Sequence, residues 1–163
     1  MKSIYLLRHA KSDWDADYGD DHERPLAPRG KRAAARIGKL LAETSSVPGV
    51  IYASSAVRAS DTATIAREAG EWDSEIHFRR DLYGAGLETV LAITQSLPGS
   101  LDSVLFVGHQ PGWSHAVSAL SGGSLVGMPT ACLARIDFEV DDWTACGIGH
   151  GFLTRLIPPK ALD

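Results

Sequence analysis

The sequence predicts an α/β fold: a three-layer α/β/α sandwich with a mainly parallel sheet and an antiparallel strand pair near the C-terminus. Two observations predict it. Short β-prone apolar runs alternate with stretches of helical spacing along most of the 163 residues, an order that places helices on both faces of a parallel sheet. After Gly122 and Gly123 the alternation stops. Two apolar runs, 132–140 and 152–157, are then joined by a polar loop carrying Asp141 and Asp142, with no helix between them, which predicts an antiparallel pair.

The elements follow in order. Residues 3–7 (SIYLL) form a short apolar run suited to a buried strand. Residues 11–23 are polar, rich in Asp and without apolar period, and read as a loop. Pro28 and Arg29 lead into a helix over 30–43, where Ala34, Ile37, Leu40 and Leu41 share one face. Gly49 ends it, and 50–53 (VIYA) is the second strand. Ser54 and Ser55 are expected to cap a helix from about Val57 to Glu68. A short third strand is expected at 76–78, and a helix at 87–97 before Pro98 and Gly99. Residues 103–107 (SVLFV) give the strongest strand pattern, and Pro111 and Gly112 open a helix to about Leu120, with Pro111 in its first turn. With no repeat, low-complexity tract or linker, residues 1–163 are read as a single domain.

Composition narrows the function classes. A net charge of −4 argues against a nucleic-acid partner bound through a broad basic surface, but leaves room for a small positive pocket. Cys132 and Cys146 form no disulfide framework, and with His150 they match no familiar zinc spacing, so buried or semi-exposed thiols are preferred to a metal site. The first apolar run is too short for a signal peptide and no later stretch approaches a membrane span; no membrane partner and a cytoplasmic location are expected.

Ligands in open α/β sheets bind beyond the carboxyl ends of the strands. Three predicted strands end in notable polar groups: Arg8, His9, Lys11 and Ser12 after the first, Ser54, Ser55 and Arg58 after the second, and His109 and Gln110 after the strongest. If these strands are parallel neighbours, two arginines, a lysine and two histidines converge. Guanidinium forks grip phosphate oxygens by directed, charge-assisted hydrogen bonds, and helix starts after Ser55 and Pro111 add donors. With no cysteine in these segments, neutral imidazole is the available nucleophile, and cationic neighbours favour its neutral form. Taken singly, Arg58 reads equally as a solvated helix charge and His109 as a capping or core histidine; their joint placement carries the functional reading.

Three stretches then resemble the signatures of the histidine phosphatase superfamily, the phosphoglycerate-mutase-like group: LLRHAKS at 6–12, SSAVRASDTA at 54–63 and VGHQPG at 107–112. The short length, RPLAPRG at 24–30 and the Asp81-Leu82-Tyr83 stretch are more similar to its SixA-type branch, which includes protein phosphohistidine phosphatases. The resemblance implies that His9 forms a phosphohistidine, that Arg8 and Arg58 bind the phosphate oxygens, and that His109 donates a further hydrogen bond. It makes Lys11 and Ser12 weaker candidates for phosphate contact and gives the segment from Arg24 the role of an outer pocket wall. It implies no metal and no organic cofactor.

Two departures bear on chemistry. Ala10 stands where many relatives have glycine, which requires that the position not need a positive φ. The region expected to carry a carboxylate general acid reads Asp81 to Glu88, and both of those acids are more simply helix-flanking charges. A missing acid favours a substrate whose leaving group can be protonated before it departs, as the imidazole of phosphohistidine can. The expected partner is therefore a phosphorylated protein bearing phosphohistidine. The alternatives are a small phosphorylated metabolite or a non-catalytic phosphate-binding role, which would keep the arginines without needing His9.

Overall fold

The computed structural model describes residues 1–162. Its elements are β1 (Lys2–Arg8), α1 (Pro28–Glu43), β2 (Val50–Ser54), α2 (Val57–Gly70), β3 (Glu75–Arg79), α3 (Leu87–Gln95), β4 (Ser103–Gly108), α4 (Gly112–Ser121), β5 (Leu133–Phe138) and β6 (Phe152–Ile157), with four short 3-10 turns between or after them. The sheet runs β3-β2-β4-β1-β5-β6. β3, β2, β4 and β1 are mutually parallel, β5 is antiparallel to β1, and β6 is antiparallel to β5. The α/β class, the parallel majority and the C-terminal antiparallel pair all match the expectation.

Strand periodicity explains the three layers. Along β1, Tyr5 and Leu7 point to one face, where Ile51, Ala53, Leu105 and Val107 meet Ile37 and Leu41 of α1 and Ala59, Ala63 and Ala66 of α2. Ile4 and Leu6 point to the other, with Val104 and Phe106, against Val90 and Ile93 of α3 and Trp113, Val117 and Leu120 of α4. Both faces are covered, so the central strands are continuous apolar runs instead of alternating ones. Gly38 lets α1 and α2 touch, since a Cβ there would stand 2.0 Å from the carbonyl oxygen of Ala66.

Two local expectations are corrected. Neither Ser54 nor Ser55 caps α2: Ala56 is its N-cap and receives no side-chain cap bond. Pro111 is the N-cap of α4 and lies just outside its first turn. No helix among the described residues is long and apolar enough to cross a membrane.

Candidate active site

Because β1, β2 and β4 are parallel neighbours, their carboxyl ends open on one side, with Arg8 of β1 directly opposite Gly108 of β4. His9 follows β1, Arg58 lies in the first turn of α2, and His109 follows β4. A cavity of about 400 Å³ forms there, lined by Arg8, His9, Arg24, Arg58, Tyr83, Gly84, His109 and Gln110. The four residues expected to carry the chemistry are thus brought together.

Backbone contacts fix His9. Its N–H donates to the Gly108 carbonyl at 2.9 Å, and the Ala131 N–H donates to the carbonyls of both Arg8 and His9. The Ala10 N–H donates to Thr62 Oγ1 at 3.0 Å, and that hydroxyl donates to the Arg58 carbonyl at 2.6 Å, linking the two motifs. Ala10 is fully buried and is not among the residues with positive φ, so alanine fits where glycine is common.

The tautomer of His9 follows from one contact. Nδ1 lies 2.8 Å from the Ala10 carbonyl oxygen, which can only accept, so Nδ1 carries the hydrogen and Nε2 of the neutral ring keeps its lone pair. Burial, followed by the positive charges of Arg58, Arg8 and Arg24, lowers the His9 pKa to about 4, against the opposing pull of the Ala10 hydrogen bond. His109 lies beside it, ring centroids 5.2 Å apart, with Nε2 held 2.8 Å from Ser54 Oγ. Burial above all, with His9, Arg58 and Arg24 adding to it, lowers His109 to about 3. Both rings are neutral near pH 7.

The arginines are each held by part of the guanidinium. Arg8 donates through Nη1 to the Met128 carbonyl at 3.0 Å, and Arg58 through Nη1 to the Asp21 carbonyl at 2.7 Å. In both, the buried Nε–H has no hydrogen-bond partner. A buried unpaired donor costs ~1–3 kcal/mol, more for a charged group, and both arginines line the cavity, so an anion there would meet two cations with unspent hydrogen-bonding capacity.

Lys11 and Ser12 do not line this cavity. The segment is extended at Ser12, which bridges Leu26, and successive side chains there point opposite ways. Lys11 is exposed and lines a separate recess of about 420 Å³ with Arg29 and Lys160. Ser12 is buried beneath Arg24, whose Nε donates to its hydroxyl at 3.0 Å. Asp81 is tied to Arg79, with Arg79 Nη2 donating to its Oδ2 at 2.6 Å, and Glu88 lies in the first turn of α3; neither lines the cavity.

Two contributors were missed and a third lies deeper than expected. Arg24, expected only on an outer wall, is 5% exposed, lines the cavity and stacks over the Trp14 ring at 3.6 Å. Tyr83 lines it too, with its ring edge-on to His109. Asp21 binds Arg24, Arg58 and Tyr83. The available signal was an acid-rich loop leading into an arginine, but a solvated charge run gives the same pattern. Ser54 and Ser55, expected as caps, serve the site instead: Ser54 holds His109, and Ser55 Oγ lies 2.8 Å from His22 Nε2.

The family model of the histidine phosphatase superfamily (branch 1) matches residues 4–85. The chain belongs to that superfamily. An uncharacterized chloroplastic protein of Arabidopsis thaliana is 31% identical over 133 residues, covering 76% of this chain. The chain spans 61% of the length of that relative. A crystal structure of a candidate phosphohistidine phosphatase SixA from Agrobacterium tumefaciens superposes with a TM-score of 0.82 at 29% identity, covering 97% of this chain and 98% of that one. A structure of the protein histidine phosphatase SixA complexed with tungstate shares the fold, with a TM-score of 0.85 at 21% identity over 99% of each chain. These likenesses agree with the SixA-type branch.

Proposed function

We propose that residues 1–163 form one phosphatase domain in which His9 accepts a phosphoryl group, most suitably from protein phosphohistidine, and passes it to water. The observation that carries this reading is the cavity's lining: a neutral His9 with a free Nε2 lone pair beside Arg8 and the buried Arg24 and Arg58. Membership of the superfamily and the likeness to the SixA structure at 29% identity support it.

The first step forms a bond from His9 Nε2 to phosphorus and breaks the bond from phosphorus to the substrate's imidazole nitrogen. Arg8 and Arg58 take the charge on the equatorial oxygens, with His109 beside them. The substrate's imidazole carries a proton, taken from water, on its other ring nitrogen before the P–N bond breaks, so it leaves neutral. In the second step water attacks phosphorus, the bond to Nε2 breaks, and orthophosphate departs with His9 neutral again. Arg24 belongs to the same oxyanion set, because it is buried on the cavity wall. Lys11 and Ser12 have no role in contact with phosphate on this reading.

The test offers the protein a phosphohistidine peptide and a panel of sugar and nucleotide phosphates at one enzyme concentration, with His9→Ala as the blank. The peptide is expected to be turned over faster than any monoester, through an acid-labile, alkali-stable phosphoenzyme that the variant does not form. Full activity of His9→Ala would remove the nucleophile assignment; preference for one small monoester would move the substrate to a metabolite.

A further inference from the structure

The Asp21 carboxylate has no part in the steps above, yet it stands against three of the cavity's lining side chains without lining the cavity itself. We infer that Asp21 is a positioning residue, which holds Arg58 by both terminal nitrogens and Arg24 by one, so that the two guanidiniums stay fixed at the wall of the phosphoryl site. This rests on the phosphatase reading and extends it to a residue outside the reacting set.

The hydrogen-bond geometry makes the case. Arg58 donates twice to the same residue, through Nη1 to the Asp21 carbonyl at 2.7 Å and through Nη2 to Oδ2 at 2.9 Å. A guanidinium is a planar fork with its donors at fixed angles, so pinning both terminal nitrogens sets the direction of Nε. That Nε–H is the buried donor left without a partner. Arg24 is fixed through one terminal nitrogen and Nε, with Nη1 on Asp21 Oδ1 and Nε on Ser12 at 3.0 Å. The clamp is itself anchored: Tyr83 Oη donates to Asp21 Oδ2 at 2.5 Å, and neighbouring His22 ties the turn to Ser55 at 2.8 Å.

Three donors therefore meet on two oxygens, which only an acceptor-only group satisfies. Asparagine has the same shape but one acceptor oxygen; its amide would face either Arg24 or the Arg58–Tyr83 pair, donor against donor. Removing the negative charge also lessens repulsion of a phosphate, an opposing effect. The Asp21 side chain is 47% exposed, so that repulsion is screened at ~0.15 M salt, where the Debye length is ~8 Å. Loss of geometry wins.

Calorimetric titration of the full chain with orthophosphate at ~0.15 M salt tests this, using wild type, Asp21→Asn, Arg58→Ala and the double variant, each with a thermal melt. Asp21→Asn should bind ~10-fold more weakly, Arg58→Ala at least as weakly, and the double variant should lose less than the product of the two, because only the hold on Arg24 is left to remove. Asp21→Glu, which keeps the carboxylate, should recover part of the loss. Binding by Asp21→Asn as tight as or tighter than wild type overturns the inference. So do losses that multiply in the double variant, which would mark a general structural effect. Wild type that fails to bind orthophosphate overturns the phosphatase reading along with it, whereas wild type that binds beside an unaffected Asp21→Asn sinks only the positioning role.

Discussion

Acidification should leave His9 and His109 neutral long after an ordinary imidazole has become charged. Lowering His9 from 6.5 to about 4 corresponds to ~3 kcal/mol of preference for the neutral ring. Burial is its largest cause, with Arg58, Arg8 and Arg24 acting in the same direction. At pH ~5.5 an ordinary histidine is ~90% protonated, and one with a pKa of ~4 is only ~3% protonated. The unfolded chain takes up these protons near pH 6.5, whereas the folded chain does not until about 4 for His9 and about 3 for His109. Stability conferred by the neutral rings is thus fully present above pH 6.5. It falls by up to ~1.4 kcal/mol per pH unit for each ring between that value and the folded pKa. Asp21, held below the usual carboxylate range first by Tyr83 and then by Arg58 and Arg24, adds its own acid-dependent loss only below its ordinary value of 3.8, outside most of this window. Proton NMR titration of the six imidazoles, assigned with His9→Gln and His109→Gln, measures the rings directly; urea midpoints at pH 7 and 5 measure the linkage. Both rings titrating at or above pH ~6, the ordinary range, or a urea midpoint unchanged over that interval, would refute the reasoning.

Two further outcomes follow from placement. Lys11→Ala should leave turnover within ~2-fold and stability within ~0.5 kcal/mol of wild type, because Lys11 is exposed on a different recess; a tenfold rise in KM would return it to the phosphate site. Gly30→Ala should cost ~1–3 kcal/mol, since its Cβ would meet the Lys11 carbonyl oxygen at 2.1 Å, backbone that cannot yield. Thermal melts should show that loss as a fall of several degrees, and activity should drop with it, because Lys11 follows His9 by two residues.

Much of this arrangement was legible in order along the chain. β1 and β4 were readable because burial on both faces leaves an unbroken apolar run, and the polar residues just after them are where a parallel sheet collects ligands. Arg8, His9, Arg58 and His109 could be grouped for that reason. β3 was expected at 76–78 and spans Glu75–Arg79, because an edge strand with exposed Glu75 and Phe78 carries a weaker apolar signal. Lys11 and Ser12, expected beside the phosphate, do not line the cavity, because adjacency to a nucleophile says nothing about which way an extended residue points. Arg24 and Asp21 were hidden for a different reason. The burial of Arg24 and the clamp made by Asp21 arise from contacts across the fold, to Trp14, Ser12, Arg58 and Tyr83, and an Asp-rich loop looks the same in sequence whether it is solvated or clamped.

The acid-base inventory finally constrains the substrate. Among the described residues no carboxyl group lines the cavity. Asp21, the nearest addition to the site, is held as a carboxylate by Tyr83 and two arginines and has no proton to give near neutral pH. Asp81 is likewise kept ionised by Arg79. A positioned acid is typically worth ~10²–10⁴-fold to a departing alkoxide, so a leaving group here must be good on its own or bring its own proton. Imidazole meets that condition and a sugar hydroxyl does not. Across a series of phosphomonoesters, kcat/KM should therefore fall steeply as leaving-group pKa rises, with nitrophenyl phosphate turned over and alkyl phosphates lagging by at least ~10²-fold. Phosphohistidine peptide should stand at the fast end of the same series. A flat dependence would mean that a protonated group does reach the leaving atom, and Tyr83, whose hydroxyl is held on Asp21, would then be the first side chain to replace.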